Sequence, residues 1–484
     1  MSDEWTTGVF AAIWSKYNNR ENPYSTWIVC DAPVDTFWIE NLNTVLDDNQ
    51  ILTLSNGDRI PMTDNVKIMF ENETLINASP ATVSRCGIIY VSQSDLGWTP
   101  IVQAWAKAPG SEPEMLKKKD ILLKQFYIYM GDDETPADAG KMFSFLIREV
   151  QPVMNVVIAG VTRACCRMLD GLLAHMTLGK GSEVVTALER IFVYALTWSI
   201  GALLEGDDRK KWDEFLRTQG GEGKLPDLHG PEDTVFEYYI EDNAPNNWKR
   251  WSAPEWSYPE VPHGQKLSFA SLLVPTMDTA RSLYVISQLQ SQGFSVMMTG
   301  SQGTAKTSTA LMHSKTFDSK VMGFKFVNFS SATLQGNFQG AIEESLDKRG
   351  GNSFGPPNGL KLTVFIDDIS MPEINEWGDQ PTNEIVRQLI EVGNFAFLDK
   401  DKRGVMKKCD DLVFLAAMTH PGGGRNDVPD RLKSHFLIFN LVPPSLESIN
   451  DIYGQILTGY FKENKSPDFE GINLASEGRS VVEK

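Results

Sequence analysis

Little in this sequence would staple a small fold or hold a metal: its 484 residues include five cysteines and six scattered histidines. Cys30, Cys86, Cys165, Cys166 and Cys409 are odd in number and lack metal-site spacing, which excludes a disulfide framework and a zinc ribbon and predicts reduced thiols in a cytosolic-type compartment. Basic runs are short, none longer than three residues, as at Lys117 to Lys119. With a formal charge of −18 and a pI near 4.9, a nucleic-acid groove is not expected, because phosphate binding needs clustered Lys and Arg. The longest mainly apolar stretches, Ile191 to Leu204 and Val153 to Val161, fall short of the roughly 20 residues of a membrane span and are expected to be buried helices. The first turns carry acidic residues and an amphipathic pattern in place of a basic region and apolar core, so no signal peptide is expected.

What is present is globular in character, 42% hydrophobic and 22% charged, in a chain long enough for about three folding units. Its most informative stretch runs from Ser295 to Thr307. An apolar run, Val296 to Met298, ends in Gly300-Ser301-Gln302-Gly303-Thr304-Ala305-Lys306-Thr307, and a helix-competent segment follows. Strand, loop and helix in that order let successive backbone N–H groups curl round a β-phosphate while the helix points its positive end at the same anion. Lys306 would then reach the β- and γ-phosphates, and the Thr307 hydroxyl would sit on Mg²⁺. Ala305 stands where the usual pattern has a second glycine, and its methyl is tolerable if φ stays negative. Taken alone, the stretch also reads as an ordinary Gly-rich turn.

A second stretch bears on that choice. Sixty-one residues after Lys306, the apolar run Val364-Phe365-Ile366 ends in Asp367. A buried strand ending in a carboxylate beside a P-loop supplies what Mg²⁺ coordination requires. The next residue, where a glutamate would orient attacking water, is Asp368, shorter by one carbon–carbon bond of about 1.5 Å, so binding is expected more firmly than turnover.

Along the chain, residues 1 to about 25 read as a helix with Val9, Phe10, Ile13 and Trp14 on one side. Trp27 to Cys30 forms a buried strand ending in Asp31, a candidate Mg²⁺ ligand or simply a strand-end acid, with Ala32 in place of a water-orienting acid. Asn56-Gly57 predicts a hairpin with a type I′ turn. Arg85 precedes a predicted strand, Ile88 to Val91. The same order returns later, where Asp367 is followed by a strand from Val413 to Met418 and Arg431 precedes the strand Phe436 to Leu441. The Asp-to-Arg intervals are 54 and 64 residues, which gives two copies of one architecture offset by about 340 residues, only the second with its P-loop. Between the copies the apolar spacing is helical, including one stretch from Gly140 to Met176, and Met and aromatic positions read as core. Glu241 to Gln265, rich in Pro, Trp and Asn, reads as an extended, docked connector.

An α/β subdomain with P-loop, Asp-ended strand and Arg before a final strand, followed by a helical subdomain, is the layout of AAA+ modules. WIVCDAPVDTFWIENLNTVLDDN, NASPATVSRCGIIYVS, LVPTMDTAR, GSQGTAKT, VFIDDISMPEINEWGDQPTNEIVRQLIE and MTHPGGGRNDVPDRLKSHF resemble, in that order, the motor ring of axonemal dynein heavy chains. The resemblance covers almost the whole chain. It implies an α/β fold of tandem AAA+ P-loop modules, with parallel-sheet large subdomains alternating with helical small ones. Residues 1–95 would be the later part of a second module's large subdomain, 96–230 its helical subdomain, 231–275 a connector, 276–441 a third module's large subdomain and 442–484 the start of its lid. It implies ATP or ADP with Mg²⁺, and catalytic arginines that complete a neighbour's site, Arg85 facing the first module's nucleotide and Arg431 the second's. Thr419 and His420 occupy the place of a γ-phosphate sensor asparagine, and Asp368 that of the water-orienting acid. The implied partners are other AAA+ modules of the same heavy chain, dynein intermediate and light chains and, indirectly, microtubules, with no nucleic acid and no membrane, in the cytoskeleton of a ciliary axoneme. The function implied is a motor segment whose nucleotide site is regulatory and slowly hydrolytic; a non-hydrolysing scaffold is the alternative. A first module, a stalk and a lever are not expected within this chain.

Overall fold

The computed structural model describes residues 5–92, 97–109, 112–131, 140–220, 224–259, 268, 271–399, 402, 404–422 and 425–463. They fall into two units, neither continuous in sequence: Met1–Ser92 with Ser331–Gly359 and Pro372–Asp411, and Gln93–Ser330 with Leu360–Met371 and Leu412–Lys484.

In the first unit the predicted N-terminal helix is confined to Val9–Tyr17. It stops because the Asn18 side chain turns to backbone partners, donating to the Pro61 carbonyl and accepting from the Thr63 amide. Trp14 is fully buried with Ile28, Leu42, Val45, Leu52 and Val66, whereas Val9 is exposed. Strand β1 (Thr26–Asp31) runs parallel to β2 (Val66–Glu71), Asp31 opposite Glu71, and buries alternate residues. Trp27, Val29 and Met69 are left exposed. The predicted hairpin is present, Ile51–Thr53 against Arg59–Pro61, but its turn is not type I′. Of the Asn56-Gly57 pair only Gly57 has positive φ, 91°, and the Leu54–Asp58 bond closes a longer turn with glycine in the left-handed position.

One predicted strand is absent. Ile88 to Val91 makes no ladder, and its four side chains are 56 to 88% exposed. A strand needs a neighbour for its N–H and C=O groups, and among the described residues of this unit none pairs with it.

The second unit opens with helices Thr99–Ala106, Pro113–Met130 and Gly140–Arg148, then α1 (Ile158–His175) and α2 (Ser182–Ser199). The stretch expected to be helical from Gly140 to Met176 is broken over residues 149–157, because Pro152 has no amide hydrogen to continue a helix and Val153 bonds to the Leu203 carbonyl instead. Val153 to Val161 is therefore helical only in its last turn. By length and composition Ser182–Leu203 would suffice to cross a membrane, yet every residue from Ile191 to Ser199 is buried. It is a core helix, its Ile191, Phe192 and Trp198 sharing one buried cluster with Phe126, Met168 and Trp212. All five cysteines are free thiols, and burial pushes Cys165 up to about 12. Within the stretch read as a connector, Trp251 stacks on Tyr239 with ring centroids 4.3 Å apart; its residues 260–265 lie outside the described ones.

The sheet follows α3 (Met277–Ser291): β3 (Ser295–Thr299), α4 (Lys306–Lys315), β4 (Met322–Asn328), β5 (Lys361–Asp367), β6 (Leu412–Met418), α5 (Asp430–Lys433), β7 (Phe436–Asn440) and α6 (Leu446–Glu463). All five strands are parallel, in the order β7-β3-β6-β5-β4. β3 is buried at every position and β5 through five of seven, the continuous burial that a parallel sheet covered on both faces demands. Here the final strand has its partner: β7 pairs with β3 from Phe436 opposite Ser295 to Asn440 opposite Thr299.

Candidate functional site

The carboxyl ends of β3, β5 and β6 open onto one place, where ligands of open parallel sheets bind. Gly300 leaves β3 where no side chain fits, since a Cβ would stand 2.6 Å from the Thr304 hydroxyl and 2.8 Å from the Leu441 carbonyl. Gly303 takes φ 81° and Ala305, the N-cap of α4, φ 62°. The condition under which the Ala305 methyl would be tolerated, a negative φ, is thus not met: curling the loop into the helix requires the left-handed region, which costs an L-residue about 1–2 kcal/mol. Lys306 Nζ donates to the carbonyls of Gly300 (2.8 Å) and Ser301 (2.7 Å). Burial lowers its pKa, as does the charge of Arg425, against Asp367 and Asp368.

Asp367 is not on the strand next to the loop, for β6 lies between β3 and β5. The helix bridges that gap: Thr307 Oγ1 donates to Asp367 Oδ2 at 2.6 Å. Burial raises the Asp367 pKa and Asp368 adds to the rise, while the Thr307 bond and Lys306 oppose it. Asp368 has φ 55°, and its Oδ1 lies 3.7 Å from Arg425 Nη1. At the end of β6, Thr419 and His420 diverge. The Thr419 hydroxyl is buried without a partner, whereas His420 Nε2 bonds to Asn440 Oδ1 at 2.8 Å. Beside the loop is a cavity of about 180 Å³ lined by Val274, Thr279, Ser308, Met312, Leu441 and Ile452 among others, mainly apolar by surface but also bordered by the charged Arg209, Asp278 and Arg281.

Comparison with known proteins adds two matches. Residues 261–444 match the family described as the P-loop containing dynein motor region, and residues 139–253 the dynein heavy chain AAA lid domain. Dynein axonemal heavy chain 5 of Mus musculus is 44% identical over 464 residues, 95% of this chain and 10% of the relative. Dynein axonemal heavy chain 8 of Mus musculus is 42% identical over 461 residues, 95% of this chain and 9% of the relative. The chain belongs to the dynein heavy-chain family. The flagellar outer-arm dynein gamma chain of Chlamydomonas reinhardtii is 41% identical over 467 residues, again 95% of this chain and 10% of the relative. This dynein segment therefore spans about a tenth of the length of the curated relatives it matches.

The residues of the dynein loop suit a magnesium nucleotide. Besides Thr419, the Thr299 hydroxyl is buried without a partner, and Thr299 opposes Met418 in register, so both orphans stand where the loop begins. Among the described residues no cluster of three His, Cys, Asp or Glu would hold a metal alone, so Mg²⁺ on Thr307 and Asp367 would take its other ligands from phosphate and water.

The remaining predicted residues lie elsewhere. Asp31 ends β1 as expected, but its carboxylate accepts from Arg387 at 2.9 Å, a guanidinium also paired with Glu384 and Glu391. Arg85 donates to the Ala81 carbonyl at 2.8 Å and stands 3.6 Å from Asp47. Arg431, on α5, precedes the amino end of β7, whereas the P-loop follows the carboxyl end of β3, so the two lie at opposite ends of parallel strands. Sequence reasoning passed over Arg425 and Asn440. The only signal for the first was an arginine soon after the sensor position, and for the second a polar residue ending an apolar strand.

Proposed function

We propose that this chain is a nucleotide-holding segment of a dynein-type motor ring, binding ATP or ADP with Mg²⁺ at Gly300 to Thr307. The observation that carries the reading is the 2.6 Å bond between Thr307 and Asp367, two side chains 60 residues apart brought together beside a lysine-bearing loop. On nucleotide binding Lys306 would exchange the carbonyls of Gly300 and Ser301 for phosphate oxygens, and amides from Ser301 to Thr307 would line the anion. The cavity beside Ser308 and Met312 would take the base. A bound magnesium ion would supply charge neutralisation at the phosphates.

Asp368 is short for a water-orienting acid, so the site is regulatory, hydrolysing slowly and biasing the ring between conformations. A non-hydrolysing scaffold that holds nucleotide permanently or not at all is the second reading, favoured by the 3.7 Å approach of Arg425 to Asp368; retained ADP that never exchanges would select it. Arg85 and Arg431 complete nucleotide sites of preceding modules, where a guanidinium stabilises charge on the transferring phosphoryl group. Asp31 would meet a metal only with Arg387 displaced. The module boundaries proposed are 1–95, 96–230, 231–275, 276–441 and 442–484. The setting is a ciliary axoneme, with other AAA+ modules, intermediate and light chains as partners and microtubules reached indirectly. Lys306→Ala is expected to abolish nucleotide binding at this site, measured by titration with a fluorescent ADP; equal affinity for wild type and variant would sink the phosphate-cradle reading.

A further inference from the structure

The acid pair at the carboxyl end of β5, Asp367 and Asp368, is matched by two cations, Lys306 and Arg425, and the second has no assigned task. Its backbone is pinned, the amides of Gly422 and Arg425 each donating to the other's carbonyl at 3.3 and 3.1 Å. Its side chain is loosely held. Nη1 lies 3.4 Å from the Met371 sulfur and 3.7 Å from Asp368 Oδ1, well beyond the 2.7–2.9 Å of a charge-assisted hydrogen bond, and the two side chains of the ion pair are 30 and 40% exposed. An exposed, distant pair of this kind is weak, so Arg425 can change partner at little cost. Meanwhile His420 is engaged with Asn440 and Thr419 offers only a hydroxyl, so neither supplies a second positive charge for phosphate at the end of β6.

Two cations, Lys306 and Arg425, face two carboxylates, Asp367 and Asp368. Lys306, inside the loop, serves any nucleotide, which leaves Arg425 to answer an additional phosphate. We propose that Arg425 reads the terminal phosphate, exchanging the Asp368 carboxylate for it when a nucleoside triphosphate replaces a diphosphate. A terminal phosphate carries more charge than a carboxylate and three acceptor oxygens, which a planar guanidinium meets with two parallel N–H donors. The same exchange frees Asp368 only while triphosphate is bound, which makes the site's response depend on nucleotide state. No bond is made or broken.

This inference rests on the nucleotide reading above, and one experiment separates the two. Equilibrium titrations of the full 484-residue chain with ADP and with a non-hydrolysable ATP analogue, both with magnesium, are run on wild type, Arg425→Gln and Arg425→Lys. Arg425→Gln is expected to weaken the analogue roughly tenfold to a hundredfold, the span of one charged hydrogen bond, and to change ADP by less than about twofold. Arg425→Lys should recover part of the loss, because charge returns without the two-pronged fit. Wild type binding neither nucleotide would defeat the nucleotide reading and this proposal with it. Wild type binding both, with Arg425→Gln leaving the ratio unchanged, would overturn the proposal alone. Should Arg425→Gln lose ADP as well, Arg425→Lys decides: equal loss of both nucleotides there overturns the proposal, and selective loss of the analogue supports it.

Discussion

The chain carries the same strand ending twice, and the two copies meet different fates. Asp31 and Asp367 each close a short apolar run with an acid, yet Asp31 faces a guanidinium that Glu384 and Glu391 already share, whereas Asp367 accepts from the threonine of a P-loop. The sheets differ in the same sense. β1 and β2 form a pair with alternate residues exposed, while β3 and β5 belong to a five-stranded sheet and are buried almost along their whole length, in contrast to its edge strand β4. An acid at a strand end becomes a metal-site candidate through what the neighbouring strand and helix deliver to it. At Asp31 the described residues deliver a cation, Arg387, from 356 positions away.

The contrast can be strained experimentally. Phe365, fully buried and within ring contact of Phe324 and Phe326, should cost about 3–5 kcal/mol when replaced by alanine, while Trp27→Ala, at a side chain 59% exposed, should cost less than about 1 kcal/mol. Hydrogen exchange of β5 and β1 amides reads both. Similar losses would mean that the two sheets are equally covered in solution.

Acid should next distinguish the units. His313, on the P-loop helix, is buried against Gln290, which lowers its pKa to about 4, while the first unit contains no histidine at all. A histidine kept neutral in the folded state is protonated first in the unfolded chain, so its contribution is full above pH 6.5 and is lost as pH falls toward 4. The second unit should therefore lose up to about 3 kcal/mol over that range, a step that His313→Gln removes, measured by urea unfolding at graded pH.

The smallest effect concerns the loop itself. Ala305→Gly relieves a left-handed alanine and should stabilise the second unit by about 1 kcal/mol or less, since glycine also raises the entropy of the unfolded chain. Thermal unfolding checks this; a destabilised variant would show that Ala305 is at ease with positive φ.

Much of the site was legible because its parts are local. Val296 to Met298 followed by a glycine loop and a helix-forming segment is a short-range pattern, and so is an apolar run ending in Asp367. Ile88 to Val91 reads equally well as a strand, and nothing local reveals that no neighbour pairs with it. Nor does the local sequence reveal the left-handed Ala305; the break at Pro152 is signalled by the proline itself, but helical apolar spacing on both sides outweighs it.

By itself the sequence determined the chemistry on offer: a lysine and threonine after a glycine loop, two adjacent acids closing a strand, and the family to which the chain belongs. Only the tertiary structure decided which charges meet. Asp31 takes its partner from 356 positions away and Asp367 from 60, and β6 stands between the strands that carry loop and acid. Backbone propensity acts over a few residues, whereas ion pairs and strand order are settled by segments that folding brings together, so the first is written locally and the second is not.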